Sequence, residues 1–165
     1  MNWQVKELEK EVTSWQGVTA HSHRFAGREF RLGDAEIGHV HVGGVVDTPF
    51  PRAIRDALLV QGLAEEHRWV PDSGWTTFRV TKQEQMQQAI WLMRLSYARY
   101  AIKKSAAPRK TFEEECMRLA LKEPVISLLR KFVREVSADG ENLSSETLAT
   151  AATQLTEDAR QEGGK

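Results

Sequence analysis

Apolar residues recur over the first fifteen positions at spacings of three and four: Val5, Leu8, Val12 and Trp15. That period predicts a helix over 3–15, ended by Gly17. The period then changes to two. "VTAHSHRFAG" (18–27), "REFRLG" (28–33) and "AEIGHVHV" (35–42) read as three short strands. Ala26-Gly27 and Gly33-Asp34 are turn signals between them, so a meander is expected. "VVDTPF" (45–50) reads as a fourth strand, entered through Gly43-Gly44. Pro49 and Pro51 close this region and open a helix, "PRAIRDALLVQG" (51–62), with Ile54, Leu58 and Leu59 on its apolar face and Gly62 as its cap. "AEEHRWV" (64–70) and "WTTFRV" (75–80) are predicted to pair across the turn "PDSG" (71–74). Thr81 with Glu84 forms a capping box for the next helix. Met86, Ile90, Met93, Tyr97 and Tyr100 mark one of its faces, which runs to about residue 102.

Hairpin connections favour antiparallel pairing. The predicted fold class is therefore α+β: a mostly antiparallel sheet of about five to six strands with helices packed on one side, plus an all-helical C-terminal extension. "KKSAAPRK" (103–110) reads as a linker, dividing an α+β domain (1–104) from the extension (105–165). Thr111 with Glu114 gives a second capping box. Pro124 opens "PVISLLRKFVREV", whose Val125, Leu128, Leu129, Phe132 and Val136 form an apolar stripe. "ADGENLSS" is a loop, and Ser144 or Ser145 caps a last helix to about residue 160. The default for this stripe is packing back on the domain. A homodimer through the C-terminal helices is the alternative.

Composition narrows the classes. Among 165 residues, Lys plus Arg and Asp plus Glu number 23 each, so the formal charge is zero. A general nucleic-acid binder shows a basic excess instead. Cys116 is the only cysteine, which excludes an internal disulfide and a cysteine zinc cage and fits a reducing, cytoplasmic setting. "MNWQVKELEKEV" is charged and amphipathic, unlike a signal peptide. No apolar run approaches the roughly 18 residues of a membrane span, so no membrane partner is expected.

The candidate chemistry lies in two His-x-His pairs, His21/His23 and His39/His41, and in His67. Strand parity puts Ile37, His39 and His41 on one face, and Gly38, Val40 and Val42 on the other. The valine face is expected to meet the core, leaving the histidines facing outward. Imidazole is a common metal ligand. A strand-borne metal set, however, calls for a carboxylate just downstream on the same face. Positions 43–46 are Gly, Gly, Val and Val; parity places Glu36 on the opposite face, and Asp47 follows a glycine turn. No metal and no cofactor are therefore predicted; a metal-dependent enzyme using both His-x-His pairs, set on neighbouring strands, is the less favoured alternative. Proton handling fits better: His39, His41 and His67 titrate near neutral pH. Arg24, Arg28, Arg52, Arg55 and Arg68 share this part of the chain, and a cleft of His and Arg suits an anionic, enolic or phenolic small molecule. Most of these arginines are expected on solvated edges. Ser73 lacks the Gly-x-Ser-x-Gly elbow and reads as a turn residue. Cys116 shares a helix with Phe112 and Leu119 and reads as core. No phosphate loop or dinucleotide fingerprint is present. Trp69 and Trp75 flank the "PDSG" turn, where they suit cross-strand packing or stacking on a planar ligand.

The stretches "FRLGDAEIGHVH", "DTPFP" and "HRWVPDSGWTTF", followed by "AIWLMRLSYARY", resemble the luciferase-domain family. This family comprises small bacterial proteins and the luciferase of bioluminescent fungi. The resemblance covers about residues 18–102. It implies a metal- and flavin-independent oxygenase acting on an enolisable pyranone or aromatic compound, with molecular oxygen as co-substrate. On that reading His39 or His41 is the base and His67 its partner. Arg24, Arg28, Asp47, Arg68, Trp69, Ser73 and Trp75 are the candidate substrate-binding residues. The alternative is a non-catalytic small-molecule or protein binding module.

Overall fold

The computed structural model describes residues 2–133. In chain order the elements are α1 (Trp3–Val12), β1 (Val18–His23), β2 (Gly27–Leu32), β3 (Ala35–Val40), β4 (Val45–Pro49), α2 (Arg52–Val60), β5 (Glu65–Glu66), β6 (Trp75–Arg79), α3 (Met86–Lys104) and α4 (Pro108–Arg118). Residues 125–133 are also helical. The strands form one sheet in the order β1-β2-β3-β4-β6-β5, and every neighbouring pair is antiparallel. The fold is α+β, as the patterning predicts.

Two cores meet at α3. Val5, Leu8 and Val12 of α1, with Trp15 in the turn that follows it rather than in the helix predicted to reach residue 15, pack with Phe30, Ile37, Val40 and Val46 of the sheet and with Met86, Met93 and Tyr97 of α3. The other side of α3, with Leu92, Leu95, Ala98 and Ile102, packs with Phe50, Ile54 and Leu58 around α2 and with Phe112, Leu119, Val125, Leu129 and Phe132. Full burial of side chains of this size is worth about 1.5–3 kcal/mol each. The helical residues beyond 107 therefore pack back on α2 and α3. A homodimer through Val125, Leu129 and Phe132 would have to displace that packing. Val136, the "ADGENLSS" loop and the last predicted helix lie outside the described residues.

Several local expectations are corrected. Segment 18–27 is broken by a 3-10 turn at Arg24–Ala26. The 64–70 strand shrinks to Glu65–Glu66, which pairs with Thr76 and Thr77, so Trp69 and Trp75 are not cross-strand partners. The cap before α3 is made by Gln85 rather than Glu84: its Oε1 accepts from the Thr81 and Lys82 amides and the Thr81 hydroxyl. The linker is only the three residues between Lys104 and Pro108, because α4 starts on Pro108, where the fixed φ of proline suits a first helical turn. Thr111 then bonds back to the Ala107 carbonyl inside that turn. No helix among the described residues is long and apolar enough to cross a membrane.

Candidate functional site: a histidine–carboxylate cluster on the open face of the sheet

The register writes the site directly. One row crosses all six strands: His21, Glu29, His39, Asp47, Thr77 and Glu65 are successive cross-strand partners. They project from the face that α1 and α3 do not cover. The next row, with Val40, Val46 and Phe78, turns into the core.

A bulge in β3 completes the row. Phe30 pairs with Gly38 but Arg31 pairs with Glu36, leaving Ile37 as the extra residue. Gly38 takes φ 144°, and a Cβ there would lie 2.7 Å from both the Asp47 carbonyl oxygen and Met93 Sδ. Only glycine fits that pinch between sheet and helix. The bulge sends Ile37 into the core at 0% exposure, correcting its assignment to the histidine face. It also turns Glu36 onto that face: Glu36 Oε1 lies 2.6 Å from His39 Nδ1. Glu36 is therefore a partner of the histidines, against the parity argument.

Asp47 is the hub. Its Oδ2 lies 3.3 Å from His39 Nε2, 3.2 Å from His41 Nε2 and 3.7 Å from His67 Nε2. Its Oδ1 accepts from the Thr77 hydroxyl. Burial opposes the Asp47 charge, but the hydrogen bonds from His39 and Thr77 outweigh it and hold the carboxyl below its ordinary range. His39 is clamped between two carboxylates. Burial works against its charge, yet the bonds to Asp47 and Glu36 win and push its pKa up to about 9. His41 moves the other way. Burial and the neighbouring His39 charge lower its pKa, against the pull of Asp47. Two imidazoles two residues apart are thereby set to different protonation states at neutral pH.

His23, at the end of β1, joins them. Its ring stacks on His39 with centroids 4.0 Å apart and meets His41 edge-on at 5.2 Å. Its Nδ1 lies 3.4 Å from Glu29 Oε2, and Glu29 is in turn held by Arg31. One ring nitrogen each of His23, His39 and His41 lies within 4.8 Å of the others, which makes these three the residues able to share an ion. His21 stays apart, exposed and bonded to Thr19.

The loop from His67 to Gly74 forms a wall. Arg55 of α2 ties it down through Glu66 and the Pro71 carbonyl. Phe50 donates its amide to the Gly74 carbonyl, where a Cβ would fall 1.8 Å from the Phe50 carbonyl oxygen. The Trp69 amide donates to His67 Nδ1 at 3.2 Å, which leaves Nε2 of that ring directed at Asp47. Ser73 serves the turn: its hydroxyl donates to the Val70 carbonyl and accepts from the Trp75 amide.

Between sheet and loop lies a cleft of about 800 Å³, lined by the four clustered histidines, Asp47, Thr77, Trp69 and the arginines 24, 68 and 79, among others. Of the predicted site residues, His39, His41, His67, Asp47, Arg24, Arg68 and Trp69 meet there. Trp75 borders it, with its ring 5.2 Å from that of His39. Arg28 does not reach it, because its guanidinium bonds Glu9 of α1 at 3.1 Å. Ser73 is outside the lining as well. The sequence did not point to Glu29, Thr77 or Arg79, placed Glu36 on the other face, and offered His23 only as the pair of His21. Gly38 inside an otherwise regular strand was the available signal for the bulge that brings Glu36 round.

The geometry defines a class: an α+β domain whose open antiparallel sheet carries an imidazole–carboxylate cluster in a basic-rimmed cleft. Residues 34–96 match the family model described as Luciferase domain. The resemblance read from the sequence is borne out over that stretch. It starts at the β2–β3 turn and ends inside α3, so it contains His39, His41, Asp47 and His67, while His23 precedes it. No curated protein and no solved structure matches the chain.

Proposed function

We propose that the cleft is the site of an oxygenase-like enzyme acting on an enolisable, anionic small molecule such as a pyranone or phenol. The observation that carries this reading is the convergence of three imidazoles on one carboxylate oxygen, Asp47 Oδ2, at the floor of an open cleft. His41 takes the substrate proton. Asp47 orients the ring through Nε2, and the other nitrogen has no protein partner among the described residues. His39, held cationic between Glu36 and Asp47, faces the enolate that results. Arg24, Arg68 and Arg79 line the cleft without an ion pair among the described residues and offer a carboxylate or phenolate its counter-charge. Trp69 offers a ring for stacking. The enolate then reacts with dissolved dioxygen. The luciferase-domain match supports this chemistry at the level of family resemblance.

The test is a panel of hydroxypyranones and phenols, read by thermal shift and oxygen uptake, on wild type and His41→Gln. The expected result is a stabilising compound that is consumed with oxygen by wild type, and that His41→Gln binds but does not turn over. Binding without oxygen uptake marks the binding-module alternative. No shift for any compound sinks the proposal.

A further inference from the structure

The proton-handling reading leaves His23 without a task, although its ring lies against those of His39 and His41. We infer that His23, His39 and His41 form a binding site for one divalent first-row transition-metal ion, with Asp47 placed to complete its ligand shell.

Three observations carry this. The first is distance. One nitrogen from each ring lies within 4.8 Å of the others. Tetrahedral ligands bonded at about 2.1 Å to one ion are about 3.4 Å apart, so the widest separation in the set, at most 4.8 Å, closes by up to about 1.4 Å. His23 and His41 are only partly buried and have room for that movement. Asp47 Oδ2, at 3.3 and 3.2 Å from His39 and His41 Nε2, already sits near the roughly 3.3 Å edge of a tetrahedral shell with bonds of about 2.0–2.1 Å.

The second is the surrounding shell. The Nδ1 atoms of His23 and His39 each face a carboxylate, Glu29 and Glu36. Glu29 is itself anchored by Arg31. A carboxylate on the rear nitrogen fixes a ring's orientation and tautomer and raises the basicity of the front one, which is the arrangement behind histidine ligands in metal centres. The third is the donor set. It is nitrogen-rich with one carboxylate and no thiolate, which suits zinc, cobalt, nickel or iron(II) and not the all-oxygen preference of calcium or magnesium.

This inference goes beyond the enol-handling reading and does not depend on it. The two uses compete: an ion on His41 Nε2 leaves the ring's proton on Nδ1, the nitrogen that would take the substrate proton, so the loaded protein is inhibited as a base catalyst.

The test uses the full chain, purified without a metal-affinity tag and stripped with chelator. It is titrated with zinc by calorimetry and with cobalt(II) followed by visible absorption. The expected result is one ion per chain, with the strong bands of tetrahedral cobalt. Affinity falls about tenfold or more in His23→Ala and in Glu29→Gln, which keeps all three rings. His21→Ala, outside the cluster, binds like wild type. Absence of stoichiometric uptake by wild type overturns the site, as does wild-type affinity in folded His23→Ala. The small-molecule panel, run on ion-free protein, separates the two readings. Compounds that bind and are consumed while no ion is taken up leave only the enol chemistry; ion uptake with no compound bound leaves only the metal site.

Discussion

Two clefts of similar volume open on the two sides of this molecule, and they use charge in opposite ways. The one on the helical side, about 890 Å³, lies among α1, α3 and α4. Its central cation, Arg94, is fully engaged. Nε donates to Glu115 Oε2 at 2.7 Å, a second nitrogen reaches Oε1, and the guanidinium sits 4.9 Å from the Trp15 ring and 4.4 Å from the Tyr97 ring. Its charge is met within the protein by the Glu115 carboxylate. The sheet-side cleft is slightly smaller, yet its imidazoles face open space and its three arginines lack ion pairs among the described residues. Cleft size does not locate the chemistry. Polar capacity left available to a ligand does.

The sharpest way to break this comparison is to remove Glu115. The carboxylate is 5% exposed, and its loss strands the Arg94 cation among helices. Breaking a buried pair from one side costs about 3–5 kcal/mol. Glu115→Ala should therefore lower the denaturation midpoint strongly while ligand or ion binding per folded molecule stays unchanged. If Glu115→Ala weakens binding at the sheet face in folded protein, the two clefts are coupled and the contrast fails.

A second prediction concerns pH. His39 has a folded pKa of about 9 against about 6.5 unfolded. The folded state thus binds more protons between those values, and stability falls as pH rises. The contribution is complete below about 6.5 and lost through about 9, with an amplitude of the order of 3 kcal/mol. Ion-free protein should show this slope in urea titrations from pH 6 to 10, and Glu36→Gln should flatten it. A wild-type profile that is level across this window would mean that His39 is not held cationic, and the proposed enolate partner would be lost.

The helical side was legible in the sequence and the sheet side only partly so, for a physical reason. Val5, Leu8, Val12 and Trp15, or Met86, Met93 and Tyr97, repeat with the helical period, and burial follows that period without further information. Even there α3 held something back. Its second face of Leu92, Leu95, Ala98 and Ile102 blurs the amphipathic pattern because it meets a different core. The site depends on register, which is a relation between strands. His39 opposes Asp47 because the loop after His41 closes at Val45, whose carbonyl accepts from the His41 amide. Glu36 faces His39 because of one bulge. Parity along a single strand placed both His39 and His41 correctly, placed Glu36 and Ile37 on the wrong faces, and had no means of bringing His23 across from β1. The missing carboxylate that argued against a metal was thus supplied from the neighbouring strand.

At His41 the effect on stability should be small. The side chain is 26% exposed, and truncations at partly exposed polar positions usually cost under about 1 kcal/mol. His41→Ala should therefore unfold close to wild type while losing both turnover and ion binding, the reverse of Glu115→Ala. A large loss of stability would make the ring a structural element of the sheet instead.

The smallest effect is expected at Trp69, 78% exposed and touched by the Arg68 guanidinium at 4.9 Å. Its amide, not its ring, holds His67 in place, so Trp69→Ala keeps that bond. Stability should stay within about 0.5 kcal/mol of wild type. What changes is the wall of the cleft: loss of an aromatic contact worth roughly 1 kcal/mol should weaken a planar ligand about fivefold, with ion affinity unaltered. Calorimetry with a hydroxypyranone and with zinc on the same variant reads both numbers. Equal affinity for the pyranone would place the ligand deeper, against Trp75 and the imidazoles, and would leave Trp69 as an exposed ring with no part in recognition.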